Sequence, residues 1–189
     1  MKVLLHICCA PCTIYPHKVL KEEGHAVTGF FYNPNIHPYT EFQRRRDTLS
    51  TFAALRLMPL LIDDAYDLEA FLARTLPLGK DRCPACYRMR LDRAFQKAKE
   101  IGAEAVTTTL LYSKYQRHEE IATVAEELSA FHKTPFLYKD FRQGWKEGQA
   151  ESRRLGLYRQ NYCGCIFSEH ERFAGTGKQR EKRGGPKRS

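Results

Sequence analysis

The chain has 189 residues, 42% of them hydrophobic and 28% charged, the composition of one folded globular domain with room for a sizeable core. Seven cysteines, an odd number in tight groups, argue against the disulfide framework of a secreted domain, and no apolar run approaches the ~18 residues of a membrane span. A cytoplasmic location without a membrane partner is therefore expected, and the net charge of +9 points to an anionic partner.

Lys2–Cys8 is a short apolar run that reads as a buried first strand rather than a signal segment. Thr13–Glu23 reads as a helix through Ile14, Val19 and Leu20, ended by Gly24. Ala26–Tyr32 follows as a second strand, and the breakers of Asn33-Pro34-Asn35-Ile36-His37-Pro38 predict a loop. Tyr39–Leu57 reads as a long helix with a basic patch at Arg44-Arg45-Arg46, and Pro59–Ile62 as a third strand. A helix is expected over Tyr66–Leu76, then a turn at Pro77-Leu78-Gly79 leading into Cys83-Pro84-Ala85-Cys86.

From Tyr87 to Ile101 the apolar residues Leu91, Ala94, Phe95, Ala98 and Ile101 recur at spacings of three and four, which predicts an amphipathic helix. Ala105–Leu111 reads as a strand, Arg117–Phe131 as a helix and Pro135–Lys139 as a fifth strand. Beyond that the pattern weakens until Tyr162-Cys163-Gly164-Cys165. Alternating strands and helices give an α/β class, a parallel sheet with helices on both faces. Residues 1–170 are read as one catalytic domain. Residues 171–189 hold seven Lys/Arg against two Glu, with four glycines and a proline, and are expected to form a flexible basic tail that is either solvated or phosphate-seeking.

Ligands of such folds bind outside the carboxyl ends of the strands. The loops expected there are Cys8–Cys12, Asn33–His37 and Leu111–His118. Cys8-Cys9-Ala10-Pro11-Cys12 stands where nucleotide-binding relatives of this topology place a glycine-rich phosphate loop, yet it holds no glycine. Thiolates at a strand-to-helix junction gain from the positive helix end, which favours metal binding. Cys83-x-x-Cys86 points two more sulfurs at one centre, and zinc or an iron–sulfur cluster suits such a thiolate set. Cys163-Gly164-Cys165 is close enough for a small, strained and labile disulfide, so it suits a dithiol that hands over two electrons; metal ligation is its other use. Asp140, after the fifth strand, is a candidate proton donor or metal ligand against the plainer role of helix cap. Arg159-Gln160-Asn161-Tyr162 is read as a nucleoside or phosphate contact, and Trp145 as a base-stacking or lid residue. His37 and His118 lie on the candidate loops, where each alone is more often a satisfied histidine than a ligand.

Together these segments resemble one known family. His6-Ile7-Cys8-Cys9-Ala10-Pro11-Cys12, Phe31-Tyr32-Asn33-Pro34-Asn35-Ile36, Cys83-x-x-Cys86 with Arg90-Leu91, Thr107-Thr108-Thr109-Leu110 with Ser113 and Tyr115-Gln116, Lys139-Asp140-Phe141-Arg142, and Tyr158-Arg159-Gln160-Asn161-Tyr162-Cys163-Gly164-Cys165 run in the order of the epoxyqueuosine reductases of the QueH type. Lys114 stands where that pattern has proline. The resemblance implies an adenine-nucleotide-hydrolase-like (HUP, Rossmann-like) fold and cobalamin-independent reduction of the epoxide of epoxyqueuosine to an alkene, at the wobble position of tRNAs for Asp, Asn, His and Tyr. It further implies a [4Fe-4S] cluster held by Cys8, Cys9, Cys83 and Cys86, a redox-active pair at Cys163 and Cys165, and an unspecified electron donor. Cys12 either completes the cluster set or joins Asp140 at an additional iron ion. In that mechanism an iron binds the epoxide oxygen, Asp140 or Tyr162 protonates it, and the Arg44–Arg46 patch and the tail hold the tRNA backbone. Two rivals remain at this level: an ATP-dependent tRNA sulfurtransferase, which the glycine-free loop disfavours, and a zinc-stabilised nucleic-acid-binding module, which leaves Cys163-Gly164-Cys165 without a use.

Overall fold

The computed structural model describes residues 1–174. The segment 175–189, most of the expected basic tail, lies outside the described residues.

The first strand, β1 (Lys2–Ile7), is buried at every position after Lys2. A central strand covered on both faces needs a continuous apolar run rather than alternation, which is why this segment was legible. α1 (Ala10–Glu22) leads to β2 (Ala26–Phe31), and α2 (Tyr39–Leu55) to the short β3 (Leu60–Ile62). α3 (Leu68–Thr75) starts at Asp67, whose Oδ1 accepts the Ala70 N–H at 2.8 Å, as an N-cap should. α4 (Arg82–Glu100), β4 (Ala105–Thr108), α5 (His118–His132), α6 (Trp145–Arg154) and α7 (Ile166–Phe173) complete the described chain.

The four strands form one parallel sheet in the order β3-β2-β1-β4. The chain runs outward from β1 through β2 to β3, then crosses back to lie on the other side of β1. Right-handed crossovers therefore put α1 and α2 on one face and α4 on the other. α4 packs on α5, and α1 packs on α6 and α2, so both faces are covered, as the α/β reading requires. The reversal of direction falls between β1 and β4, the point where open α/β sheets have their ligand crevice, at the carboxyl ends of the strands. Gly29 keeps the layers close at mid-strand: a Cβ there would lie 2.8 Å from Ile7 Cδ1 and 3.0 Å from Met58 Cε.

Two expectations are corrected. The predicted strand at Pro135–Lys139 is a single bridge, Val106 to Phe136. Pro135 has no N–H for a ladder, and the Tyr138 N–H turns back to the Phe136 carbonyl at 3.1 Å, so the chain leaves the sheet edge at once. The helix predicted from Tyr87 begins at Arg82 and takes Cys83 and Cys86 into its first turn, where Pro84 is tolerated because the first N–H groups have no intrahelical acceptor. Among the described residues, no helix is long and apolar enough to cross a membrane.

Candidate metal centre

β1 ends at Ile7, and the next two residues deliver Cys8 and Cys9 to the crevice. Cys9 is extended and serves as the N-cap residue of α1, with Pro11 in the first turn and Cys12 at its end. The backbone N–H of Cys8 donates to Thr109 Oγ1 at 3.1 Å, and that hydroxyl lies 3.4 Å from Cys8 Sγ. Residues over a hundred positions apart thus clamp the loop across the β1–β4 reversal. The sulfurs of Cys8, Cys9 and Cys12 all lie within 4.8 Å of one another, and all three residues are buried. Cys8 and Cys9 are 3.7 Å apart at sulfur. The Gln160 amide donates to Cys9 Sγ at 2.7 Å and reaches Cys12 Sγ at 3.6 Å.

This crowding splits the three thiols. Hydrogen bonds from the Cys12 and Cys9 thiols, helped by Arg90, hold Cys8 well below the usual thiol range. Burial raises Cys9, and Cys12 is raised because its proton is the one shared with Cys8 and Cys9. One thiolate flanked by two hydrogen-bonded thiols is a group that binds a soft metal on losing protons.

The other four cysteines, the expected ligands Cys83 and Cys86 among them, lie outside this three-thiol group. Cys86, Cys165 and Phe71 form a small buried cluster, with Cys163 packed against it. Cys83 is half-buried in the first turn of α4 and within electrostatic reach of Cys163. Burial pushes the Cys86 thiol up to about 11. The Cys163–Cys165 pair is divided by its mutual hydrogen bond, which lowers Cys163 and raises Cys165. Gly164 between them has φ +115°, and a Cβ there would come within 2.9 Å of Ile36 and 3.1 Å of Arg45. Only glycine fits that position. Its carbonyl accepts the His37 N–H at 2.8 Å, which ties the pair to the loop after β2.

Two buried arginines stand among these sulfurs. Arg45 donates through Nε to Glu41 at 2.7 Å and through its Nη groups to the carbonyls of Cys163 and Tyr162, at 3.0 and 3.1 Å. Glu41 is held in turn by the Tyr158 hydroxyl at 2.6 Å. Arg90 donates to the Asn33 amide oxygen at 2.7 Å and shares the buried face of α4 with Cys86, one turn before it. Asn33 donates its own N–H to the Ile7 carbonyl at 2.8 Å, so the arginine is anchored to the end of β1.

The burial of Arg45 corrects the basic patch. Arg45 is closed off from any backbone phosphate; Arg44 lies over the Tyr158 ring at 4.5 Å, and Arg46 pairs with Asp47 at 2.9 Å. The signal was present in the spacing. Phe42, Arg45, Leu49 and Phe52 share the buried face of α2, as Tyr87, Arg90, Leu91 and Ala94 do on α4.

Asp140 caps the short 3₁₀ turn Phe141–Gly144, accepting the Arg142 N–H at 3.0 Å. It also pairs with the Arg142 guanidinium, which holds its carboxyl down to about 2. An ionised carboxylate is a ligand or a proton acceptor. The Tyr162 hydroxyl donates to the His37 carbonyl, and burial raises its pKa, so its proton is retained. Trp145 is half-buried, tilted on Tyr112 at 5.2 Å and edge-on to the exposed Tyr115 at 5.8 Å. His118 is 3.0 Å from the Tyr138 hydroxyl, and His37 lies 3.1 Å from that of Tyr66.

The family described as epoxyqueuosine reductase QueH matches residues 3–171. The chain belongs to the QueH family. It is accordingly an enzyme, an oxidoreductase of queuosine biosynthesis. The epoxyqueuosine reductase QueH of Dehalococcoides mccartyi is 36% identical over 172 residues, which is 91% of this chain and 94% of that one. The QueH of Thermotoga maritima is 33% identical over 192 residues, 96% of this chain and 97% of the relative. The chain therefore spans nearly the whole length of both relatives.

Proposed function

We propose that this chain reduces the epoxide of epoxyqueuosine at the tRNA wobble position to the alkene of queuosine, in the cytoplasm and without cobalamin, at a thiolate-held iron–sulfur centre beside a dithiol. The observation that carries the reading is the buried group of three thiols, Cys8, Cys9 and Cys12, at the carboxyl end of β1, with Cys86, Cys163 and Cys165 in a second buried cluster, in a chain whose relatives are named for this reaction.

The residues fit such a centre. Sulfur is the donor set that iron–sulfur clusters take. Arg90 is a buried cation with no carboxylate partner among the described residues, so its surroundings suit an anionic load. Cys8, Cys9, Cys83 and Cys86 would hold a [4Fe-4S] cluster, with Cys12 and Asp140 the candidates for an additional iron. When bound, such a group supplies single electrons and a Lewis-acidic site for the epoxide oxygen.

The chain's own residues account for the remaining chemistry. Cys163 and Cys165 close to a disulfide: two S–H bonds break, one S–S bond forms, and two electrons and two protons are released. The substrate takes them up; two C–O bonds break, the C=C bond forms, and the oxygen leaves as water. Cys165 Sγ, which keeps its proton, is the donor to that oxygen, and Cys163 is the partner that leaves thiol form first. Asp140, ionised by Arg142, serves as ligand or acceptor. An external reductant resets the disulfide. The anticodon loop is single-stranded, so the nucleoside can be splayed into the crevice at modest cost. The expected substrates are the tRNAs for Asp, Asn, His and Tyr, and the two-part organisation expected from the sequence, a catalytic domain with a basic tail, remains part of this proposal.

The test is nucleoside analysis of epoxyqueuosine-containing tRNA after anaerobic incubation with reconstituted protein and a reductant. Conversion to queuosine, without added cobalamin or ATP, is expected. Unchanged epoxyqueuosine from protein that has taken up iron and sulfide would overturn the proposal.

A further inference from the structure

Among the described residues no carboxylate pairs with Arg90. The side chain is 2% exposed. Among the described residues its one hydrogen-bond acceptor is the neutral amide oxygen of Asn33, and its Nε has no partner. By contrast Arg45, equally buried, has Glu41. Burying an unpaired guanidinium costs several kcal/mol, so a fold that keeps one there sets an anion against it. Cys86 lies one turn before Arg90 on the same buried face of α4, and Asn33, the partner of Arg90, also holds the Ile7 carbonyl next to Cys8.

We propose that Arg90 is the counter-cation of the centre read at Cys8, Cys9, Cys83 and Cys86, a positioning residue that sets the centre's reduction potential. The inference rests on that reading. Each electron added to a thiolate-bound centre adds negative charge. A fixed cation in a low-dielectric pocket stabilises the reduced form more than the oxidised one, and its N–H groups on a ligand sulfur act in the same sense. Arg90 is well built for this. Asn33 holds one end of the guanidinium, and the buried Nε, unpartnered among the described residues, leaves donor capacity in the interior.

The experiment compares wild type, Arg90→Gln and Arg90→Lys, each reconstituted anaerobically with iron and sulfide, by spectroelectrochemical titration. At a fixed ambient potential the reduced-to-oxidised ratio of Arg90→Gln is expected to fall about tenfold below wild type, with Arg90→Lys keeping most of it. Loss of the centre or of the fold in Arg90→Gln, with both kept in Arg90→Lys, supports the inference as well, because the charge is then what the centre requires. An unchanged ratio in Arg90→Gln overturns it and leaves the proposed function standing. Equal loss of the centre in both variants also overturns it. A wild-type chain that takes up no iron and sulfide overturns both.

Discussion

The carbonyl of Cys163 accepts a hydrogen bond at 3.0 Å from Arg45, a side chain 1% exposed in the middle of α2. One guanidinium therefore holds the backbone of the dithiol segment against a helix 118 residues earlier in the chain. Arg45→Met removes that hold and leaves Glu41 buried without its cation. A loss of about 3–5 kcal/mol is expected, read as the midpoint of denaturant unfolding. A loss under about 1 kcal/mol would show that the segment is held by other contacts.

Gly164→Ala tests the geometry of the pair itself. At φ +115° an added methyl meets Ile36 at 2.9 Å and Arg45 at 3.1 Å. The expected cost is about 1–3 kcal/mol, together with a lower rate constant for turnover because the two sulfurs no longer keep their relative position. Turnover equal to wild type would contradict the idea that the Cys163–Cys165 geometry matters.

Cys163→Ser separates a redox role from a ligand role. The reading predicts that iron and sulfide content stays at the wild-type level while epoxide reduction falls by about 100-fold or more, as expected for loss of a covalent or electron-carrying group. Unchanged turnover removes the dithiol from the mechanism. Loss of iron in step with turnover assigns Cys163 to the metal instead.

Acid should weaken the fold through its neutral buried histidines. Burial, with the charge of Arg90, lowers the His6 pKa from 6.5 to about 3; burial lowers His37 from 6.5 to about 4. Both folded values lie below the unfolded one, so the unfolded chain binds more protons below pH 6.5. Stability is then full above that pH and falls as pH drops toward the folded values, by up to about 1.4 kcal/mol per pH unit for each group. The unfolding midpoint should decline between pH 6.5 and 4.5, and less steeply in His6→Gln. A flat profile over that range, or the same slope in His6→Gln, would contradict this assignment.

The order of strands and helices was legible because central parallel strands are unbroken apolar runs and the helices between them carry spacings of three and four. The false fifth strand was apolar enough, but Pro135 denies the ladder a donor, and pairing is a property of neighbours rather than of composition. Arg45 was hidden by its own neighbours. A run of three arginines looks like a surface patch, whereas helical periodicity gives each a different environment. The thiols were visible as three motifs, but their placement depends on clamps such as Cys8 to Thr109 and His37 to Gly164, which join residues over a hundred positions apart and have no local signature. Arg90 was visible only as part of a motif; its missing carboxylate partner needs the fold.

The most direct test of the central claim is metal and sulfide content with an absorption spectrum, on protein purified and reconstituted without oxygen. About four irons and four sulfides per chain are expected, with a broad band near ~400 nm that bleaches on reduction, and iron beyond four if Cys12 and Asp140 hold a further ion. One zinc and no sulfide after reconstitution would contradict it.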